Sequence, residues 1–313
     1  MDDRLRLGVD LGGTKIEAVV ARLGEERAEI LARVRTPTDR QHGYDHVVDA
    51  VVSAIEEAMR QAGLDEAPPI GVGMPGSVTS GGPGAMPLVK NANTVCLNGR
   101  PFRRDLQARA GAPIAFANDA NCFALAEVTY GAARGAQVAF GVILGTGVGG
   151  GVVLGGGSSG RGARAWEGAQ GIAGEWGHVV LAPIDGPPCY CGRRGCVETY
   201  LSGPAIEARY RARAGIARSL QEIGARRAID ADAATTLHEV VDTFGRALAI
   251  VIDILDPEVI VLGGGVSNLA LLYDEGVAAV ARSIFNDELR TRIVQNALGD
   301  SAGVIGAMLL PSP

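Results

Sequence analysis

The sequence predicts an α/β fold, and three observations carry that prediction. Short apolar runs alternate with longer segments whose apolar residues recur at helical spacing. Three of the runs end in glycines: 7–11 before Gly12-Gly13, 138–144 before Gly145-Thr146-Gly147, and 259–262 before Gly263-Gly264-Gly265. The first two continue into similar returning runs, and Gly8-Val9-Asp10-Leu11-Gly12 can be laid over Gly141-Val142-Ile143-Leu144-Gly145. This self-similarity points to two halves of related fold.

Each glycine-ended run reads as a buried strand entering a tight turn. Strands are expected first at 7–11 and 16–21. Residues 44–62 then form a helix, because Val47, Val48, Val51, Val52, Ile55 and Met59 fall at helical spacing and Gly63 closes it. A short strand at 70–74 ends at Pro75-Gly76. Another, 114–117, runs into Asn118-Asp119-Ala120-Asn121 and a helix over 122–130. The second hairpin pairs 138–144 with 151–154. Residues 155–188 are loop-rich, and 205–234, rich in Ala and Arg, reads as solvated helices rather than a site. A long helix over 236–255, the strand 259–262 and a helix over 302–310 complete the pattern.

Of the 313 residues, 47% are apolar and 20% charged, enough to bury a real core and too apolar for a disordered chain. A net charge of −6 offers no broad electropositive face and argues against a nucleic-acid partner. The most apolar region, 247–262, is broken by Asp253, Asp256, Pro257 and Glu258, so no membrane span is expected. Met1-Asp2-Asp3-Arg4 passes straight into a strand-like run without a secretory leader, and a cytoplasmic location is the expectation. The 45 glycines exceed the usual share of roughly 7% and cluster at the ends of apolar runs.

Asp10-Leu11-Gly12-Gly13-Thr14-Lys15 sets a carboxylate at a strand end, then two glycines, a hydroxyl and an amine. Such a turn brings backbone N–H groups close to phosphate oxygens, and Asp10 is suited to Mg2+. The bland alternative is a hairpin turn that uses glycine only for positive φ. The turn at Gly145, Thr146 and Gly147 can cradle phosphate but has Ile143 in place of the carboxylate. That at Gly263, Gly264 and Gly265 can admit the flat face of a base. None has the spacing of a P-loop or of a dinucleotide fold.

Cys189, Cys191 and Cys196 supply three thiolates in eight residues, and His178 lies upstream. Three sulfurs and one imidazole describe closed, structural Zn2+. Reduced buried cysteines or a redox pair are the alternatives, although Cys-x-x-Cys is absent. Asn118-Asp119 follows a strand, where α/β proteins display ligand-binding groups, or else Asp119 is a helix N-cap. Glu175 precedes His178 by three residues, and Glu198 follows Cys196 by two. These acids and amides suit a polyhydroxylated ligand, with one carboxylate left to take a proton; singly, each glutamate reads as a solvated acid.

These motifs together resemble the ROK family of sugar kinases and sugar-responsive regulators along nearly the whole chain. The matching pieces are Asp10 to Lys15, Gly73-Met74-Pro75-Gly76, Asn118 to Asn121, Leu144 to Gly147, Gly174-Glu175-Trp176-Gly177-His178, the 189–198 loop and Gly263-Gly264-Gly265. Within the family the likeness is to bacterial fructokinases (mannokinases), in Lys90-Asn91-Ala92-Asn93, Leu97-Asn98-Gly99 and Pro188-Cys189-Tyr190-Cys191-Gly192. N-acetylglucosamine kinases share much of this pattern. The resemblance implies an actin-like ATPase fold, ribonuclease H-like and internally duplicated, with ATP and sugar meeting in a cleft between two lobes. The smaller lobe would be 1–118 joined by 302–313, and the larger 119–301, with the zinc loop and a dimerisation surface. Asp119 would be the base for the sugar's 6-hydroxyl. Gly76, Asn118, Glu175, His178 and Glu198 would hold the sugar, and His178 would touch zinc with one ring nitrogen and sugar with the other. The glycine turns would hold the nucleotide with Mg2+. The implied activity is ATP-dependent phosphorylation of fructose, with mannose or glucose as further acceptors; N-acetylglucosamine kinase and glucokinase are the alternatives. A sugar-sensing regulator is the rival of another class, disfavoured because nine residues before Asp10 leave no room for a DNA-binding domain. A non-catalytic sugar-binding module is a further rival, one that consumes no ATP.

Overall fold

The computed structural model describes residues 2–79, 85–156 and 162–311. In chain order its elements begin with β1 (Leu5–Leu11), β2 (Lys15–Leu23), β3 (Ala28–Pro37), α1 (Tyr44–Gln61), β4 (Ile70–Met74), β5 (Ser77–Val78) and β6 (Val89–Lys90). There follow α2 (Phe102–Ala110), β7 (Ile114–Asn118), α3 (Asp119–Tyr130), β8 (Val138–Leu144), β9 (Val148–Leu154) and β10 (Arg164–Ala165). The remainder holds α4 (Glu198–Leu201), α5 (Gly203–Ala214), α6 (Leu220–Arg226), α7 (Ala231–Leu255), β11 (Val259–Gly263), α8 (Glu275–Ser283), β12 (Arg292–Gln295) and α9 (Ala302–Met308).

One five-stranded sheet runs β3-β2-β1-β4-β7 and another β10-β9-β8-β11-β12. Renumbered within its own half, each has the order third, second, first, fourth, fifth. Each opens with an antiparallel hairpin and adds parallel strands beside its first strand. The duplication suggested by the glycine-ended runs is therefore present in the topology.

The chain forms two compact units, 1–137 with 151–173 and 297–313, and 138–150 with 174–296, and one of their limits falls inside β9. The first unit keeps 119–137, which the expected boundary at 118 would remove, because α3 packs on α9. Residues 1, 80–84, 157–161, 312 and 313 of the expected lobes and loop lie outside the described residues.

In the first unit the sheet's two faces follow the period of two. Leu7, Val9, Leu11, Ile70 and Val72 join the Val47, Val51 and Ile55 stripe of α1 in one buried cluster. The residues between them, Gly8, Asp10, Gly71 and Gly73, face α9 and α3, and at Gly8 and Gly71 the lack of a side chain lets the strand approach the α9 backbone. Gly306 on α9 is packed as tightly against α3: a Cβ there would lie 1.8 Å from the Cys122 carbonyl oxygen, as a Cβ at Gly71 would from the Ala307 carbonyl oxygen. In the second unit, α7 buries Leu237, Val240, Phe244 and Leu248, and the whole of β11 is buried.

β3, α2 and α8 carry no strong sequence signal. β3 is amphipathic only in part and largely exposed, and α2 buries just Phe102 and Leu106. The helix expected at 236 begins at Ala231, because Asp230 accepts the N–H groups of Asp232 and Ala233 and caps it there. No helix among the described residues is long and apolar enough to cross a membrane.

Candidate active site

The first unit gathers Asp10, Gly76, Asn118 and Asp119. Asn118 ends β7 and caps α3: its Oδ1 accepts the Ala120 N–H at 2.9 Å, and its Nδ2 donates to the Gly76 carbonyl at 2.9 Å. The N-cap is thus Asn118, and Asp119, first considered for that role, is instead the first helical residue, with its Oδ1 2.8 Å from the same Ala120 nitrogen. Gly76 needs its φ of 76°, and a Cβ there would meet the Lys90 carbonyl at 2.5 Å. The 90–93 loop therefore lies directly against it. Asn98 fixes this loop from behind, accepting the Ala92 N–H at 2.9 Å and donating to the Ala92 carbonyl at 3.0 Å.

Two residues of this group carried no local motif. The Asn118 N–H donates to Glu167 Oε1 at 3.3 Å, and Arg103 lies 3.8 Å from the same carboxylate. Their separation of dozens of positions hides the pairing from any reading of spacing.

Burial, with the charges of Asp119 and Glu17 beside it, pushes the Asp10 carboxyl up to about 7. A raised carboxyl binds its proton more tightly in the folded chain, so its ionisation costs stability as pH rises from the unfolded value toward 7, and the cost persists above. A cation beside Asp10 and Asp119 would relieve that cost, so these residues fit Mg2+. Between about pH 5 and about pH 8, without divalent ions, the stability of Asp10→Asn relative to wild type should rise by roughly 2–3 kcal/mol in urea titrations. Added Mg2+ should shrink the difference; a pH-independent difference would contradict this assignment.

The first turn is a hairpin turn in which neither Gly12 nor Gly13 has a positive φ, so positive φ is not what the glycines supply there. Thr38 clasps the turn, its Oγ1 donating to the Gly12 carbonyl at 2.7 Å and its N–H to the Thr14 carbonyl at 3.0 Å. Thr14 is exposed. Lys15, expected to point at phosphate, pairs instead with buried Glu17 at 3.3 Å, since an ionised glutamate in the sheet needs cations around it. The guanidinium beside the turn belongs to Arg40, 3.3 Å from where a Gly13 Cβ would stand.

The second unit holds the other two glycine turns around a cavity of about 1060 Å³, large enough for a nucleotide. Gly145, Thr146 and Gly265 line it, while Gly264, at φ 81°, packs on the backbone of Leu144. Its far wall comes from α5 and α6, through Glu207, Leu220, Gln221, Gly224 and Arg227. The reading of 205–234 as solvated helices rather than a site is corrected here: their outer faces are polar, and their inner faces close the cavity.

Gly147 turns toward Glu198, whose Oε2 accepts the Val148 N–H at 2.9 Å. One oxygen of this carboxylate thus supports the second glycine turn. Glu175 occupies the N-cap position of a 3₁₀ turn, 176–178, without a side-chain capping bond, and at three residues per turn it falls on the same face as His178.

His178, Cys189, Cys191 and Cys196 bring four ligand atoms within 4.8 Å of one another. Nδ1 of His178 is 3.6 Å from Cys189 Sγ, and Cys191 Sγ is 3.6 Å from Cys196 Sγ. Tetrahedral zinc with ordinary bond lengths requires separations of about 3.6–3.8 Å, so the donor set fits in chemistry and spacing. Although burial opposes it, hydrogen bonds from Arg193 and the neighbouring thiols bring Cys191 down to about 6. The second nitrogen of His178, expected to reach sugar, meets the Tyr190 hydroxyl at 3.0 Å. The cysteine loop folds Tyr190 edge-on over the imidazole, with ring centroids 5.1 Å apart, and so satisfies that nitrogen from within the loop.

The ROK family model matches residues 6–312. The chain is 35% identical over 314 residues to N-acetyl-D-glucosamine kinase of Photobacterium profundum, covering 97% of this chain and 98% of that protein. The enzyme of the same name from Mannheimia succiniciproducens is 35% identical over 322 residues, with coverage of 97% and 98%. Among solved structures, ROK hexokinase from Thermus thermophilus superposes with a TM-score of 0.82 at 34% identity, covering 98% of this chain and 97% of that one. A ROK family glucokinase from Streptomyces griseus, in complex with glucose and AMPPNP, gives 0.77 at 29% identity, with 98% of each chain covered.

Proposed function

The chain belongs to the ROK family of actin-like sugar kinases, and on that premise we propose that it transfers the γ-phosphoryl group of ATP to the 6-hydroxyl of a hexose, fructose first. The pairing of Asn118 and Asp119 at the junction of β7 and α3 carries this reading. Asn118 is locked by its own cap and by Gly76, so the adjacent carboxylate has a fixed position from which to accept a proton. As the sugar oxygen bonds to the γ-phosphorus, the bond from that phosphorus to the bridging oxygen of ADP breaks and Asp119 takes the hydroxyl proton. Magnesium held near Asp10 would neutralise phosphate charge. Backbone N–H groups of the Gly12–Lys15 turn, with Arg40 beside it, are suited to orient phosphate.

Fructose is favoured by the 90–93 loop, which carries the fructokinase likeness and packs on Gly76. A second reading, N-acetylglucosamine, is favoured by the relatives of that name. A coupled assay for ADP with fructose, mannose, glucose, N-acetylglucosamine and N-acetylmannosamine ranks kcat/KM and separates the two. Fructose at the head of the ranking supports the first reading, and N-acetylglucosamine at the head replaces it.

The Cys/His cluster is read as structural Zn2+, a closed four-ligand knot between the 176–178 turn and α4 that leaves no position for a metal-bound water. Protein purified without added zinc should carry about one ion per chain, and its chelation should lower Tm, because the metal's binding energy is folding energy. Folded, active protein without metal would refute this.

A further inference from the structure

A second group of metal-ligating side chains lies in the first unit, apart from the cysteine loop. Asp39, His42 and His46 bring one ligand atom each within 4.8 Å of the others. The arrangement rests on unusual backbone. Asp39 sits in the left-handed region at φ 44°, a conformation that Asp and Asn tolerate better than other non-glycine residues. A single 3₁₀ turn (40–42) and Gly43, at φ 93°, then reverse the chain into α1. The consequence is that His42, at the end of the turn, meets His46, in the first turn of α1, edge to face with centroids 4.9 Å apart. Nothing in the sugar or nucleotide chemistry above uses these three residues.

The geometry points to a site for a borderline divalent transition ion, Zn2+ or Ni2+, held by two imidazoles and one carboxylate with water completing the shell. Imidazole nitrogen suits these ions and not Mg2+, which prefers oxygen. The ion would tie the 3₁₀ turn to α1. Thr38, the neighbour of Asp39, holds the Gly12–Lys15 turn, and Arg40 donates to the Asn93 carbonyl at 3.1 Å. A metal here would therefore brace the segment that supports the first glycine turn and the 90–93 loop.

The test is calorimetric titration of Ni2+ into the full chain, supplied beforehand with one equivalent of Zn2+ for the tighter cysteine cluster and freed of excess Zn2+, with Mg2+ present. Wild type should take up about one Ni2+ per chain, as a single site requires. His42→Ala and His46→Ala should each weaken binding by at least about tenfold. Asp39→Asn, which tolerates the same backbone conformation, should also weaken it. Circular dichroism establishes that each variant is folded, and exposed His42 can be removed without disturbing a core. Absence of Ni2+ uptake by wild type, or the same uptake by all three variants, overturns the site. Because both results are read by binding and not by turnover, they stand apart from the assignment of the sugar kinase reaction.

Discussion

Asp119→Ala should lower kcat by about 10²–10⁴-fold, the usual worth of a positioned general base, with the fold and metal content intact. The expectation of an intact fold comes from the division of labour at the start of α3. Asn118 supplies the cap, and Ala120 can still donate to it at 2.9 Å when the Asp119 side chain is gone. The variant also removes one of the charges that raise the Asp10 carboxyl, so its resting stability near neutral pH should hold or improve. Asp119→Asn makes the discriminating companion, because it keeps shape and loses the base. Loss of kcat in both variants with unchanged metal content supports a proton acceptor. Near-normal turnover in either one removes Asp119 from the chemistry.

Gly306→Val should be the most destabilising single change considered, costing about 3 kcal/mol or more, beyond the ordinary range for overpacking. The added Cβ would lie 1.8 Å from a backbone oxygen and 2.4 Å from the carbonyl carbon of Cys122, and a helix backbone cannot turn aside as a side chain can. α9 would have to leave α3, and the same helix sets Gly303 within contact of the Asp10 carboxylate. Urea denaturation should show a much lower midpoint, accompanied by loss of activity. A midpoint equal to wild type would mean that the close packing of α9 on α3 is not required.

The parts of this protein written in consecutive residues were legible. Gly12-Gly13, Gly145-Thr146-Gly147 and Gly263-Gly264-Gly265 close strands at the expected places, and the order of the two sheets bears out the repeat between Gly8–Gly12 and Gly141–Gly145. Gly63 ends α1 in a left-handed conformation, as its position after the apolar stripe suggested. What sequence could not supply is pairing across distance. Glu167 reaches the Asn118 N–H from 49 positions away, and Tyr190 covers His178 from 12. Lys15 follows two glycines, and its ammonium also lies beside the buried carboxylate of Glu17, two residues further along β2, a pairing that the glycine motif does not announce. Polar outer faces disguised α5 and α6 as mere surface. Except at Lys15, the deciding partner in each case lies outside the local context, brought close only by the fold.

Sugar-dependent phosphoryl transfer is the activity proposed for this chain. Its most direct test is to incubate the purified protein with Mg2+ and ATP, with and without fructose or N-acetylglucosamine, measuring ADP and locating the transferred phosphate by phosphorus NMR. The predicted result is ADP formed only when sugar is present, in one-to-one yield with a sugar 6-phosphate. ADP released equally without sugar, or no phosphorylated product from any hexose in the panel, would contradict it.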